Sequence, residues 1–562
     1  MKICQISMHN FRSIKDAVFS LKDYSLLIGA NNAGKSNIID ALRIFYEHDK
    51  KKFEDGANGD KCWFGDAEDN EIWIEIEYKL TDEEYNDLKE EYRLPNNKLK
   101  VRKYIKTSEV GDDGKPKFGY YAYDKDGKIC GNLFYGEKNV GSGKLGGLIY
   151  IPAQSNLEEQ TKLTGPSPLK ELITNVLERV IEGNAAYDKL KTDLSEFSEK
   201  IKTAQTEDEK SLTRLESEIS DSLQGWNTKF KFDFKTLDAG SIIKNLVSYK
   251  IGEAVDNMNA SQMGSGFQRH LIFSLIDIAA KYPAQKKLKK DKDFTPSMSL
   301  LLFEEPEAFL HPDQQLSMCR NLKRLASDQM NQVLVSSHSP HFVSQNTDDI
   351  SSIIKLNKPD KLTEIGQISG EKWKEILGAN LKLPDEAKDD REEADKNEET
   401  EAIKYFLWLD PERSGCFFSK HVLLVEGATE KGLFNYLIDK GYVKVPPGGV
   451  FILDSMGKWN MPKFIRLFEG LKIPHSVIFD DDNNSDKEKP WNEFIQKSRN
   501  GFTKNIKTFS GDLETMLGVD KPKGSGAAHR KPQRLMYNWI TGKVSEEKQE
   551  ALITLLFETI SE

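Results

Sequence analysis

The run Gly29-Ala30-Asn31-Asn32-Ala33-Gly34-Lys35-Ser36 fits the pattern GxxxxGK[ST] and stands between an apolar segment, YSLLIG, and an amphipathic one, NIIDALRIF. These residue types suit phosphate binding. Glycines let backbone N–H groups, those of Asn32 and Gly34 among them, wrap a phosphate chain; Lys35 supplies a point charge, and the Ser36 hydroxyl can ligate magnesium. Farther on, the apolar run SLLLF ends in Glu304 and Glu305. Glu304 would hold the nucleotide's metal, directly or through water, and Glu305 would position or deprotonate an attacking water.

A second set of carboxylates lies near the C-terminus. Val425-Glu426-Gly427 follows one apolar run and Phe479-Asp480-Asp481-Asp482 follows another. If the chain stays extended, Asp480 and Asp482 alternate and point to one side, and Glu426 on a neighbouring strand completes an oxygen-rich metal site.

Each set needs strand ends to position it. YSLLIG and the segment after it predict a strand, a glycine loop and a helix, the start of an α/β domain. EIWIEIEYKL at 71–80 predicts a half-buried strand of an antiparallel sheet, and LGGLIYIPAQ at 145–154 a buried strand ending at Gln154. MSLLLFEEPEAFLHP and QVLVSSHSPHFV predict two more strand-to-loop units, and HVLLVEG, GGVFILDSMG and IPHSVIFDDDN three strands of a parallel sheet. Between 165 and 225 the sequence turns charged and helix-forming, with apolar residues at three- and four-residue spacing, which predicts an inserted arm with a surface suited to dimerisation. PDEAKDDREEADKNEETE at 384–401 is poor in apolar residues and predicts a linker or solvated helix rather than core. The expected order is an α/β domain in two parts, 1–160 and 241–380, around a helical insertion at 161–240, then a charged linker at 381–414 and a second α/β domain at 415–562.

Composition bounds the alternatives. A chain of 562 residues is too long for one core and predicts about three folding units. There is no apolar run long enough to span a bilayer, and the first residues lack the apolar stretch of a signal peptide, so the expectation is a cytoplasmic protein without membrane partners. Five cysteines without a CxxC pair exclude a zinc knuckle and a disulfide framework, leaving oxygen ligands for any metal. A net charge of -10 argues against a surface uniformly built for nucleic acid, although a local basic track is compatible with it; KKLKKDK at 286–292 is more simply a solvated loop.

Further residues carry a family resemblance. Ser261-Gln262-Met263-Gly264-Ser265-Gly266-Phe267-Gln268-Arg269 resembles the ABC signature loop, His338 resembles the switch histidine, and Gln154 stands where a Q-loop glutamine would. With NFRS at 10–13, the N-terminal part is similar to the SMC, recombination-repair and RecF branch of ABC ATPases. The resemblance implies ATP bound by Asn32, Gly34, Lys35, Ser36, Gln154, Glu304 and His338, with Gly264, Ser265 and Gly266 capping a nucleotide held by the other subunit. It also implies a homodimer or higher homo-oligomer, since such heads hydrolyse ATP as dimers. Glutamate replaces the usual aspartate at Glu304 and the signature lacks its leading Leu-Ser, which predicts nucleotide binding more firmly than rapid turnover.

The glutamate followed by DxD resembles the TOPRIM domain. Glu430 in VEGATE, Ser455 and Gly457 in LDSMGK, Glu514 in GDLETML and Lys531 in HRKP extend the likeness to the OLD family, named for overcoming lysogenization defect, in which a TOPRIM nuclease follows an ABC ATPase; the Gabija defence nucleases share that order. The implied fold class is α/β, an ABC-type head with an inserted helical dimerisation arm followed by a TOPRIM domain. Glu426, Asp480 and Asp482 would hold one magnesium or manganese ion, Glu430 and Glu514 a second, and Lys531 would neutralise charge at the scissile phosphate. The implied function is ATP-governed DNA cleavage in prokaryotic antiphage defence, with a second defence protein or nucleic-acid component as partner. The TOPRIM fold does not by itself choose the reaction. A topoisomerase needs a tyrosine nucleophile that cannot be placed here, and a bacterial primase brings a zinc module. A DNA clamp or repair scaffold and an RNA-cutting toxin remain as competing readings.

Overall fold

The computed structural model describes residues 1–48, 51–55, 59–62, 64, 68–136, 143–153, 185–204, 211–222, 298–308, 310–327, 329–344, 347–384, 396–522 and 527–561, with isolated positions between. They belong to two units, Met1–Ala153 with Asp291–Glu562, and Gln154–Lys290.

The first unit is built on three sheets. Strands β1 (Lys2–Phe11), β2 (Ile14–Ser20) and β3 (Tyr24–Gly29) open the chain, followed by β4 (Ile72–Lys79), β5 (Lys98–Lys106), β6 (Gly119–Ala122) and β7 (Gly147–Ile151). Strands β8 (Ser299–Glu304), β9 (Asn331–Ser337), β10 (Ile353–Asn357) and β11 (Glu364–Gly366) come after the insertion. The order β2-β1-β4-β5-β6 forms an antiparallel sheet, and β11-β10-β3-β9-β8-β7 a sheet that is parallel except at β11. Strand β3 lies mid-sheet and is buried throughout, as expected of an apolar run covered on both faces. Ile6, Met8, Phe11, Leu27, Ile38, Leu42, Phe45, Ile74, Leu300 and Leu356 form one core between the two sheets and the helix Lys35–Phe45.

The antiparallel strand expected at 71–80 is β4, whose alternating residues face that core. The strand expected at 145–154 is β7, but at the sheet edge it is mostly half-exposed rather than buried.

In the C-terminal part, β12 (Val422–Val425), β13 (Phe451–Asp454), β14 (His475–Asp480) and β15 (Thr503–Phe509) form a parallel sheet of order β13-β12-β14-β15. Three of its strands were expected, and β15 was not. Its core gathers Leu423, Val425, Phe434, Ile452, Ile478, Phe509, Leu513, Trp539 and Leu556.

The stretch read as a linker is structured at its end. Residues Glu398–Trp408 form a helix capped by Asn397, and Tyr405 and Glu401 are fully buried. Tyr405 donates to the Lys463 carbonyl at 2.9 Å and accepts from Asn380 at 2.8 Å, while Glu401 pairs with Lys404 and with Lys463 at 2.9 Å. The acidic composition hid one buried face whose carboxylate is neutralised in place.

In the second unit the described residues include helices Ala185–Thr203 and Leu212–Ser222, which pack against each other. This unit runs from 154 to 290, wider at both ends than the expected insertion at 161–240.

Candidate functional site

The nucleotide loop is shaped by backbone that side chains disfavour. Asn32 has φ 66° and Gly34 φ 108°, and a Cβ on Gly34 would stand 2.5 Å from Thr363 Oγ1. Thr363 donates to the Ala33 carbonyl at 2.9 Å and lies 2.7 Å from Ser13 Oγ, which also accepts from Asn37 at 2.7 Å. Arg12 reaches Asp60 at 2.6 Å and Asp40 at 2.8 Å. The NFRS segment thus braces the loop and the first turn of the helix that follows.

Lys35 curls back to donate to the carbonyls of Gly29 at 2.9 Å and Ala30 at 3.1 Å. Burial pulls its amine down to about 8, against the opposing pull of Glu305, Glu307 and Glu304. Ser36 donates to Glu304 Oε1 at 2.9 Å, and Tyr150 donates to Glu304 Oε2 at 2.6 Å. Glu305, at φ 45°, places a carboxylate oxygen 3.3 Å from His338 Nε2. Burial lowers the His338 pKa, Lys35 adds to that, and Glu305 opposes it.

Lys35, Ser36, Glu304, Glu305 and His338 therefore stand together at the ends of β3, β8 and β9. Gln154, Gly264, Ser265 and Gly266 lie outside the described residues. The sequence reading missed Thr363, Tyr150 and Glu307. Glu307 Oε1 accepts from the His338 backbone N–H at 2.6 Å and from Ser337 Oγ at 2.8 Å, holding the histidine's segment in place. The third glutamate of FEEPE was its available signal.

At the C-terminal sheet, Glu426 directly follows β12 and accepts from the Asp480 N–H at 3.1 Å, so the two strand ends meet. Asp480 Oδ1 accepts from the Leu513 N–H at 3.2 Å. Burial raises both carboxyls, Glu426 to about 7 and Asp480 to about 8. Neighbouring acids add to it: Glu430 and Asp482 act on both, and Glu426 and Asp512 also act on Asp480. Glu430 turns back one helical turn to accept from the Gly427 N–H at 3.0 Å, and burial raises its pKa, with Glu514 adding and Lys531 opposing. Lys531 Nζ lies 3.4 Å from Glu514 Oε1.

The expected alternation of Asp480 and Asp482 does not occur. Strand β14 stops at Asp480, and Asp482 has φ 45° in a short 3-10 turn. The cause is Asp481, whose Oδ1 accepts from the N–H groups of Gly511 at 2.6 Å and Asn483 at 2.9 Å and so ties the turn to the segment after β15. Asp482 still lies near enough to raise Glu426, but its carboxylate is paired with Lys458 at 2.9 Å.

Lys458, buried and also 3.2 Å from Glu488, is the missed residue of this site. It sits at the end of LDSMGK, a segment fastened by Ser455 and Gly457, whose N–H groups donate to the carbonyls of Val425 at 2.9 Å and Glu426 at 2.8 Å.

The donor set is all oxygen and rich in negative charge that burial makes costly, which fits a hard divalent cation. Among the described residues no three His, Cys, Asp or Glu side chains converge closely enough to ligate one ion.

Residues 1–343 match the family described as AAA ATPase domain. The chain belongs to that family. Residues 417–482 match the TOPRIM domain of proteins like the overcoming lysogenization defect protein, so the ATPase–TOPRIM order is that of the OLD family. Old nuclease of Escherichia phage P2 is 24% identical over 86% of this chain and 77% of its own length. Endonuclease GajA of Bacillus cereus (strain HuB5-5) is 24% identical over 80% of this chain, which spans 62% of that relative. Among solved structures, an SMC head bound to the C-winged helix domain of ScpA is 15% identical, covering 66% of this chain and 99% of its own, with a TM-score of 0.35.

Proposed function

We propose that this chain is a divalent-metal-dependent DNA endonuclease whose TOPRIM carboxylates cut phosphodiester bonds under the control of the N-terminal ATPase head. The observation that carries the reading is the meeting of Glu426 and Asp480 at adjoining strand ends, both raised by burial and by the acids around them. An acidic cluster of this kind is costly unless a cation joins it, and the strand-end position keeps it open to a substrate.

Glu426 and Asp480, joined by Asp482 once its carboxylate leaves Lys458, would hold one ion and Glu430 and Glu514 a second, magnesium or manganese. Bound there, the ions would supply a polarised water and neutralise charge on the phosphodiester. Lys531, paired with Glu514, and Lys458, paired with Asp482, would each offer positive charge to the transition state at the scissile phosphate. Asp481 and Ser455 position rather than react, because their bonds hold the turns that carry Asp482 and Lys458.

At the head, Asn32, Gly34, Lys35 and Ser36 would bind the phosphates of ATP, Glu304 its metal through Ser36, and Glu305 with His338 the attacking water. Gln154 would complete the site within the chain, and Gly264, Ser265 and Gly266 would cap the nucleotide held by the other subunit of a homodimer. Leu190 and Phe197 on one helix of the arm and Leu215 on the other are exposed, which supports self-association there. Among the described residues no helix is long and apolar enough to cross a membrane, and a cytoplasmic antiphage role with a second component belongs to the same proposal.

Plasmid cleavage by wild type, Lys35→Ala and Asp480→Ala, with magnesium or manganese and with or without ATP, tests the reading. Loss of cutting in Asp480→Ala, with an altered ATP response in Lys35→Ala, is expected. Metal-independent cutting, or cutting that survives Asp480→Ala, overturns it, and ATP-dependent DNA binding without cutting favours a clamp or scaffold.

A further inference from the structure

The chemistry above leaves unused a tryptophan pair beside the carboxylates. Trp459 follows Lys458 directly and is 48% exposed. Its ring centroid lies 4.7 Å from that of Trp491, with the planes at 88°, and Trp491 is edge-on to Phe494 at 6.1 Å.

The pair is tied to the strand ends by short links. Lys458 Nζ bridges Asp482 and Glu488, at 2.9 and 3.2 Å, and Trp491 lies three residues after Glu488. The ion pairs of Lys458 thus tie the segments that carry both indoles to Asp482 at the cluster. Gly457, at φ 114°, leaves bare backbone beside Trp459, since a Cβ there would come within 3.4 Å of the Trp459 ring. The N–H of the same glycine holds the Glu426 carbonyl at 2.8 Å.

Tryptophan packs best when buried, and a half-exposed indole braced by a second one presents a rigid aromatic surface to a ligand. Lys487 and Lys489, both exposed, stand in the segment just before Trp491, where they alternate with Asp486 and Glu488. An exposed indole next in sequence to the lysine that pairs with Asp482, and so linked to a centre for phosphodiester chemistry, fits a nucleobase attached to that phosphodiester. The base must be unpaired, because bases within a duplex are stacked and present only their edges.

We propose that Trp459, backed by Trp491, is a stacking platform for an unpaired nucleobase next to the phosphodiester at the carboxylate centre. The proposal rests on the nuclease reading and adds a substrate class to it: single-stranded or locally unwound nucleic acid engages the centre better than intact duplex.

The test uses the full-length Asp480→Ala chain, fluorescein-labelled oligothymidylate and a matched duplex, with binding followed by anisotropy and by tryptophan quenching. Single strand should quench the emission, and Trp459→Ala should weaken its binding by roughly 5- to 100-fold, the range of one lost base stack. Trp459→Phe should keep most of the affinity, duplex binding should change little, and the circular dichroism of both variants should match the parent. Equal single-strand binding with and without Trp459 overturns the platform, as does no single-strand binding by the parent, or a change in oligomeric state in place of a change in DNA affinity.

Plasmid cleavage by chains with native Asp480 separates the two ideas. Cleavage accompanied by no Trp459 effect on binding sinks the platform and leaves the nuclease. Trp459-dependent binding without any cleavage sinks the nuclease and leaves the platform.

Discussion

An ammonium group wedged between Asp482 and Glu488 offsets carboxylate repulsion at the TOPRIM centre, and under the proposed nuclease reading it would also offer positive charge to an arriving phosphodiester. Lys458→Met keeps the chain's bulk and removes the charge. Both acids are partly open to water, so the fold should survive. Cleavage should fall about 100-fold or more at saturating metal, the scale of losing one transition-state donor; an unchanged rate would demote Lys458 to a structural ion pair. At the nucleotide loop, Gly34→Ala forces a Cβ to 2.5 Å from Thr363 at a left-handed backbone position. Strain of about 1–2 kcal/mol is expected there, with loss of ATP binding in an equilibrium titration. The glycine loop and the strand-end acids were legible because their chemistry is local, a loop or a strand terminus with fixed residue types. Lys458 was quoted within LDSMGK but could not be singled out, since its role arises where the β13 loop folds back on β14. Asp482 was misplaced for a related reason: the turn that reorients it is made by Asp481 gripping Gly511, thirty residues away.

At the scale of elements, apolar runs bounded by polar residues were enough to place β12, β13 and β14, because parallel strands covered on both faces read as continuous hydrophobic sequence. Strand β15 escaped notice because TKNIKTF is only partly buried along most of its length. The helix at 398–408 escaped because its buried glutamate is neutralised by lysines, one of them distant in sequence. Where β14 meets β15, His475 is fully buried, with Nδ1 2.9 Å from the Ile473 carbonyl and Nε2 2.8 Å from Thr503 Oγ1, so the neutral ring donates from Nδ1 and accepts at Nε2. Burial lowers its pKa from 6.5 to about 4. Between those values the unfolded chain binds a proton that the folded one does not, so this contribution to stability is complete above the unfolded value and is lost as pH falls through the window. The loss should be about 2 kcal/mol by pH 5. Urea unfolding of wild type and His475→Gln at pH 7 and pH 5 measures it: the variant should be less stable at pH 7 and show a shallower pH dependence, and parallel pH dependence in both would refute the assignment.

In the whole molecule, the nucleotide loop and the carboxylate centre are joined by a short series of packed elements. Strand β3, which carries the loop, pairs in parallel with β10. From the end of β10, Asn357 donates to the carbonyls of Leu471 at 3.3 Å and Lys472 at 3.1 Å, and β11 brings Gly366 so close that a Cβ would lie 2.4 Å from the Leu471 carbonyl oxygen. Leu471 caps the helix Met461–Gly470, whose other end adjoins Lys458. Domain order was readable from motifs, but this junction was not, because it is made of backbone carbonyls, an amide and a glycine that carry no pattern. If nucleotide biases cleavage, the bias needs an element with different energies in the two states, and this junction is the candidate. Gly366→Ala must displace residues 470–472 while leaving both sites' side chains intact. ATP binding and nucleotide-free cleavage should therefore stay near wild type, while the ratio of cleavage with and without ATP moves toward unity. Couplings of this kind span roughly 5- to 150-fold, and reciprocity requires that the effect of DNA on ATP affinity fall by the same factor as the effect of ATP on DNA affinity. Measuring the two binding couplings together makes the prediction strict. A variant that keeps both, or loses one without the other, would place the communication elsewhere, with the unit at 154–290 as the next element to alter.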